Sequence, residues 1–334
     1  MNRNIKPLLD VLPGTNKKIV NISSKDPGTI ITILNQLSIP EDTVVLTNSD
    51  VWRYFSNEAN IFNHPALVNK NVFMQTLEYN NTKVDNLHWK ISYPIFYWSR
   101  TISSINFKLL NANLPYGFSC LNNNAGVLHR LILGYNFYKN NLLGSIIFSQ
   151  NDYNSWWVNK LPAPDIINTL PDFQGYLDLL PIRAIESTSQ VKNFVNDHSI
   201  NNLAYNNAYC NIVTESESEE YPYGRNINLP VVTEKSYKPF RSGQIPLILG
   251  ARGHIAYLKG LGFEMLEDLL PDGYDDMTIL KKIDSIVTIV SKGRDYIEDF
   301  YFSHRKEIEH NYKLVNSNRV ENLILQRIKE MFND

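Results

Sequence analysis

Five apolar residues, Ile245–Leu249, bracketed by Gly243 and Gly250, narrow the folds open to this chain more than any other feature. The run is too short for a helix and β-branched at one end, as in a strand buried on both faces of a parallel sheet. Before it, Glu234 to about Ser242 reads as a short helix opening on an acid and a base, and Gly243 can accept the left-handed backbone that ends it. After it come the loop Gly250-Ala-Arg-Gly253 and a helix over His254–Gly260. Helix, strand, loop and helix in this order form a unit of a doubly wound α/β domain, where ligands sit at the carboxyl ends of the strands.

The same alternation runs through the rest of the chain. Ile19–Ile22, Thr43–Thr47, Val72–Leu77 and Trp89–Tyr93 read as strands, with helical spacing at Ile30, Ile33, Leu34 and Leu37 between the first two. These predict a Rossmann-like domain at about 1–112. Asn111–Gly117 has the composition of a linker. A second domain, 116–300, opens with a strand at Phe118–Leu121, a helix at Gly126–Tyr138 and a strand at Ser145–Phe148, and Asn207–Thr214 is a further strand. Thr188–Asp197 looks helical, and residues 150 to 175 read as an irregular excursion. Glu215–Glu220 reads as a solvated acidic loop. Asp272–Asp276 reads as a turn and helix cap before a helix at Met277–Ser291; the last forty residues read as two long, charged amphipathic helices, with 301–334 a C-terminal helical segment.

A chain of 334 residues suits two domains. The formal net charge of −2 provides no global basic field for nucleic acid. Cys120 and Cys210 sit in expected strands without metal-ligand spacing, and read as buried free thiols in a reducing compartment. The first residues lack the apolar core of a signal peptide, no apolar run has the length of a membrane span, and the expected location is cytoplasmic. Without a Walker loop, a Gly-x-Gly-x-x-Gly or a nucleophile elbow, kinase, ATPase, standard dehydrogenase and serine hydrolase chemistry are disfavoured.

The head of the 234–242 helix suits a phosphorylated ligand. A helix N-terminus presents N–H groups and partial positive charge, Lys235 adds a full charge, and Glu234 can accept from ribose hydroxyls. Lys238, one turn on, can pair with Glu234. Thr233-Glu234-Lys235, followed by Gly243, Ile245-Pro246 and Gly250, resembles the donor-binding motif of the α1,3-fucosyltransferase family, with Ile212-Val-Thr-Glu-Ser216 where that family has its Glu-Asn-Ser segment. Val231 replaces the family's tyrosine, and Thr214-Glu215 stands where Glu-Asn is usual. The region from about 116 to 276 also resembles phage-encoded glycosyltransferases, in which His129-Arg130 matches a basic pair. The resemblance implies two Rossmann-like domains facing a cleft, the GT-B arrangement, with C-terminal helices. It implies a nucleotide-diphosphate sugar as co-substrate, used without an obligatory metal or other cofactor. Arg130 would then touch the diphosphate, beside His129, Thr233, Glu234, Lys235, Lys238, Gly250 and Arg252.

Transfer to a hydroxyl also needs stabilisation of the departing diphosphate and, in an inverting enzyme, a carboxylate base. Asp50, ending an expected strand of the first domain, is the candidate base; it equally suits an N-cap for a helix at Val51. The acceptor is a glycan, a protein or a modified DNA base. A transferase acting on hydroxylated pyrimidines in DNA would need a basic groove, for which Lys17, Lys18, Arg53 and Arg100 are available. The remaining alternative is a nucleotide-binding or structural protein without catalysis.

Overall fold

The computed structural model describes residues 109–122, 127–151, 169–183, 202–215 and 232–320, the strands 19–22, 44–48, 71–75 and 88–91, and single positions 32, 35, 36, 65, 322, 323 and 326. The chain divides into two compact units, Met1–Ser99 with Glu321–Asp334, and Arg100–Val320. The division falls at 99/100 rather than near 112, and residues 301–320 go with the second unit.

In the first unit β1 (Ile19–Ile22), β2 (Val44–Asn48), β3 (Asn71–Gln75) and β4 (His88–Ile91) form a parallel sheet in sequential order. Neighbours are in register from Ile19↔Val44, Val44↔Asn71 and Asn71↔His88. All four strands lie where the apolar runs predict them, within two residues at either end.

The second unit holds β5 (Tyr116–Asn122), β6 (Ile147–Gln150), β7 (Ala208–Thr214) and β8 (Ile245–Leu249), all parallel, in the order β6-β5-β7-β8. The order reverses at β5, so the chain runs outward from β5 on both sides, as in a doubly wound sheet. Helices α1 (Leu128–Lys139), α2 (Phe173–Asp178), α3 (Asn202–Asn206), α4 (Glu234–Arg241), α5 (His254–Gly260), α6 (Ile279–Ser291), α7 (Gly293–Ser303) and α8 (Arg305–Val315) complete the described residues. Alternate residues Phe118, Cys120, Phe148, Ile212, Leu247 and Leu249 are buried together with apolar residues of α1, α6 and α7. Phe137 of α1 meets Phe148 edge-on, with ring centroids 5.7 Å apart. The other face carries α3 and α4, with Ile147, Ala204, Tyr205 and Ala208 in one apolar cluster. This is a three-layer α/β/α unit.

The α1-facing side of the sheet turns polar at its carboxyl end. Asn122 and Gln150 are register partners and end β5 and β6, and Thr214 ends β7. All three are buried. Sheets of this kind put ligand chemistry at that edge, so a polar row there marks where the core stops and the site begins.

Residues 109–114 are not a loose linker but a strap held to α7 and α8. Leu110 N–H donates to the Tyr301 hydroxyl at 3.2 Å, and Arg305 Nη1 and Arg294 Nε donate to the carbonyls of Leu110 and Leu114 at 2.7 and 2.6 Å. His304 separates α7 from α8 in the C-terminal stretch, where two amphipathic helices are expected. The helix expected at 188–197 lies outside the described residues.

Candidate functional site

Glu215 is the hub of the carboxyl edge. It follows β7 immediately and is fully buried, which overturns its assignment to a solvated acidic loop; residues 216–220 lie outside the described part. Its carboxylate accepts from Thr233 N–H at 3.0 Å, the Thr233 hydroxyl at 2.7 Å and the Ser236 hydroxyl at 2.5 Å. An acidic residue at a helix N-terminus meets unpaired N–H groups and the positive end of the helix dipole. The chain therefore places its own carboxylate at the head of α4, where a ligand phosphate was expected. Thr233 is the N-cap, and its hydroxyl accepts from Lys235 N–H at 3.3 Å.

Two histidines bracket this carboxylate. His129 Nε2 donates to the Glu215 carbonyl at 2.9 Å. The Ser236 hydroxyl proton goes to Glu215, so at the 2.9 Å Ser236–His254 contact His254 Nε2 donates to the serine oxygen. Both imidazoles are buried, and neither Nδ1 has a hydrogen-bond partner. A second proton would land on Nδ1 with nothing to receive it. Burial pushes both histidines down, His129 to about 3 with the neighbouring Arg130 adding to the shift. Both are neutral at pH 7.

Arg130 is buried on α1, one turn from the helix start. Its Nη2 donates to the carbonyls of Thr214 and Glu215 at 2.9 and 3.1 Å, while Nε has no acceptor among the described residues. Burial lowers its affinity for the proton and the charges of Glu215 and Glu234 oppose that effect, which places all three in one electrostatic cluster. Glu234 is buried at the first position of α4. Lys235, with 36% of its side chain exposed, lies 3.3 Å from both the Glu234 carboxylate and the Thr233 hydroxyl. Lys238 is buried on the same helix.

The loop after β8 is held by a lysine that pattern reading did not single out. Buried Lys282 of α6 donates to the carbonyls of Gly250, Ala251 and Asp275 at 3.0, 3.4 and 2.9 Å. Three carbonyls match the three N–H groups of an ammonium. Gly250 is required here, because a Cβ at this position would stand 2.9 Å from His254 Nδ1. Gly253 has φ +73° and caps α5, and Arg252 beside it is exposed. Asp275 caps a helix as expected, but that helix is α5, through Ile255 and Ala256 N–H at 3.1 and 3.0 Å, rather than the following α6.

The structure thus gathers Arg130, His129, Thr233 and Glu234 around Glu215 at one edge of one sheet. Lys235 lies at the same helix head, and Gly250 and Arg252 follow the adjacent strand. Asp50, Lys17, Lys18, Arg53 and Arg100 lie outside the described residues. Sequence reading missed Glu215, Ser236, His254 and Lys282. Ser236 is the third residue of α4 and His254 the first of α5, and a position at a helix start was the available signal; Lys282 looks like any surface lysine until the fold closes over it. Elsewhere a shallow groove of about 510 Å³ runs along the 262–268 segment to His304, away from the strand ends. Among the described residues no group of three or more His, Cys, Asp or Glu side chains converges as metal ligands do, and no helix is long and apolar enough to cross a membrane. Compared with protein-family models, curated proteins and solved structures, the chain has no significant match in any of the three.

Proposed function

We propose that this protein is a glycosyltransferase that takes a sugar from a nucleotide-diphosphate donor, with the donor held by the second unit at the carboxyl edge of its sheet and the acceptor by the first unit, in the GT-B manner. The observation that carries the reading is the convergence of Arg130, Glu215, Thr233 and Glu234, drawn from three separate segments, on the strand ends where α/β folds bind ligands. The residues that resemble the fucosyltransferase donor motif are the ones that meet there. Lys235 is the partly exposed cation at the head of α4 and fits the departing diphosphate; Glu234 fits the ribose hydroxyls. Glu215, by accepting from the N-cap amide and from the Thr233 and Ser236 hydroxyls, fixes the head of α4 and leaves the other side chains around it to meet the ligand. The Asp50 carboxylate remains the proposed base.

Thermal protection by a panel of nucleoside diphosphates and their sugars tests this reading. A ligand at a hundred times its Kd adds about 2.7 kcal/mol to the folded state. One nucleotide should protect the wild type, and Lys235→Ala should weaken that protection at least tenfold. No protection by any member of the panel refutes the assignment.

A further inference from the structure

The polar row beneath α1 contains more hydrogen-bond donors than the described residues have acceptors for. The Thr214 hydroxyl donates to Asn122 Oδ1, and the Tyr176 hydroxyl donates to Gln150 Oε1 at 2.8 Å. Each amide is thereby oriented with its oxygen spoken for and its NH2 turned away. Among the described residues neither Asn122 Nδ2 nor Gln150 Nε2 has a hydrogen-bond partner, save that Asn122 lies beside the Cys120 thiol, a weak acceptor. Reversing either amide would idle its oxygen and also strand a hydroxyl proton. Arg130 Nε is the third donor in this state, and Thr214 links it to Asn122: Arg130 Nη2 donates to the Thr214 carbonyl, and the Thr214 hydroxyl donates to Asn122 Oδ1. Gln150 is the register partner of Asn122.

Buried donors without acceptors are costly, about 1–3 kcal/mol for each group. Packing fixes these donors further. A Cβ at Gly134 of α1 would lie 2.5 Å from Gln150 Oε1 and 2.0 Å from the Tyr176 hydroxyl, so α1 approaches the sheet as closely as the absence of a side chain permits. Two amide NH2 groups and a guanidinium N–H, oriented at the carboxyl edge with no idle acceptor among the three side chains, complement an anionic, oxygen-rich group.

We propose that Gln150 and Asn122, with Nε of Arg130, form a subsite for phosphoryl oxygens. The proposal deepens the donor-binding reading: phosphoryl oxygens of the diphosphate lie over β5 and β6, with Lys235 facing them from the head of α4, where Glu215 already takes the Thr233 N–H. Binding of inorganic pyrophosphate and of the protecting nucleoside diphosphate is measured calorimetrically on the full chain. Gln150→Glu and Asn122→Asp each keep the accepting oxygen and replace the idle NH2 by a carboxylate oxygen. Each should weaken both ligands at least tenfold. In the unmodified protein, side-chain amide NMR signals of Asn122 and Gln150 should shift on adding pyrophosphate, a readout independent of whether either variant folds. Nucleotide binding with unmoved amide signals overturns the subsite and leaves the donor reading standing. Pyrophosphate binding that moves those signals, with no nucleotide or nucleotide sugar bound, supports the subsite and overturns the donor reading. No binding of either ligand overturns both.

Discussion

Acid should destabilise this protein through His129 well before most of its carboxylates are protonated. The perturbation is a fall in pH from 7 to 5, applied to the wild type and to His129→Gln. An unfolded histidine titrates near 6.5, whereas burial and then Arg130 hold the folded one at about 3. Between those values the unfolded chain carries the extra proton. Stability therefore rises with pH across this window: the contribution is complete above about 6.5 and is lost progressively as pH falls toward 3. From pH 7 to pH 5 the loss is about 2 kcal/mol, using 1.36 kcal/mol per pH unit once the unfolded group has titrated. That is a large share of an ordinary folding free energy of about 5–15 kcal/mol. His254 is shifted downward for the same main reason, burial, and adds to the slope in the same direction. Denaturant unfolding at pH 7, 6 and 5 measures it. Glutamine keeps a donor for the Glu215 carbonyl and does not titrate, so His129→Gln should lose about 2 kcal/mol less than wild type over this interval. Parallel losses in the two proteins would refute the reasoning, because they would show that the imidazole is protonated in the fold or that its burial costs nothing.

Two further substitutions probe the framework around the site. Gly134→Ala sets a methyl 2.0 Å from the Tyr176 hydroxyl and 2.5 Å from Gln150 Oε1; despite a gain in helix propensity of about 1 kcal/mol it should destabilise the second unit by about 1–3 kcal/mol, read as a lower Tm, and an unchanged or raised Tm would contradict the packing. Lys282→Met leaves the Gly250, Ala251 and Asp275 carbonyls without their ammonium donor; a loss of about 2–4 kcal/mol is expected in denaturant unfolding, accompanied by weaker nucleotide protection, and full retention of both would show that the β8 loop is held by something else.

The parallel sheets were legible because their signal is local. Ile245–Leu249 and Ile19–Ile22 are bounded by residues of other character, and the observed strands match those limits. Boundaries drifted where side chains of two kinds suit one position. Asn122 and Gln150 extend β5 and β6 beyond their apolar runs, and polar residues in a row look like loop until the register aligns them. The candidate site was legible at the head of α4, where Thr233-Glu234-Lys235 carries both a cap and charges. It was not legible at Glu215, since burial of the first member of an acidic run depends on a helix whose head lies eighteen residues further on. Lys282 is hidden for the same reason: its partners are backbone carbonyls, which leave no trace in composition.

The buried acid changes how the α4 motif is to be understood. A helix head is an anion site by default, and in this chain the anion is internal. Thr233 and Ser236 both give their hydroxyl protons to Glu215, and the hydroxyl-rich start of α4 is a clasp between β7 and α4. What is left over at the same edge is the donor surplus of Asn122, Gln150 and Arg130, three groups whose positions cost stability and that the core does not need. Cores retain few such groups, because apolar replacements of equal volume would fold at least as well. The division of labour that follows is a clasp at α4 that holds the edge together and a donor row at β5–β6 that has its hydrogen bonds still to make.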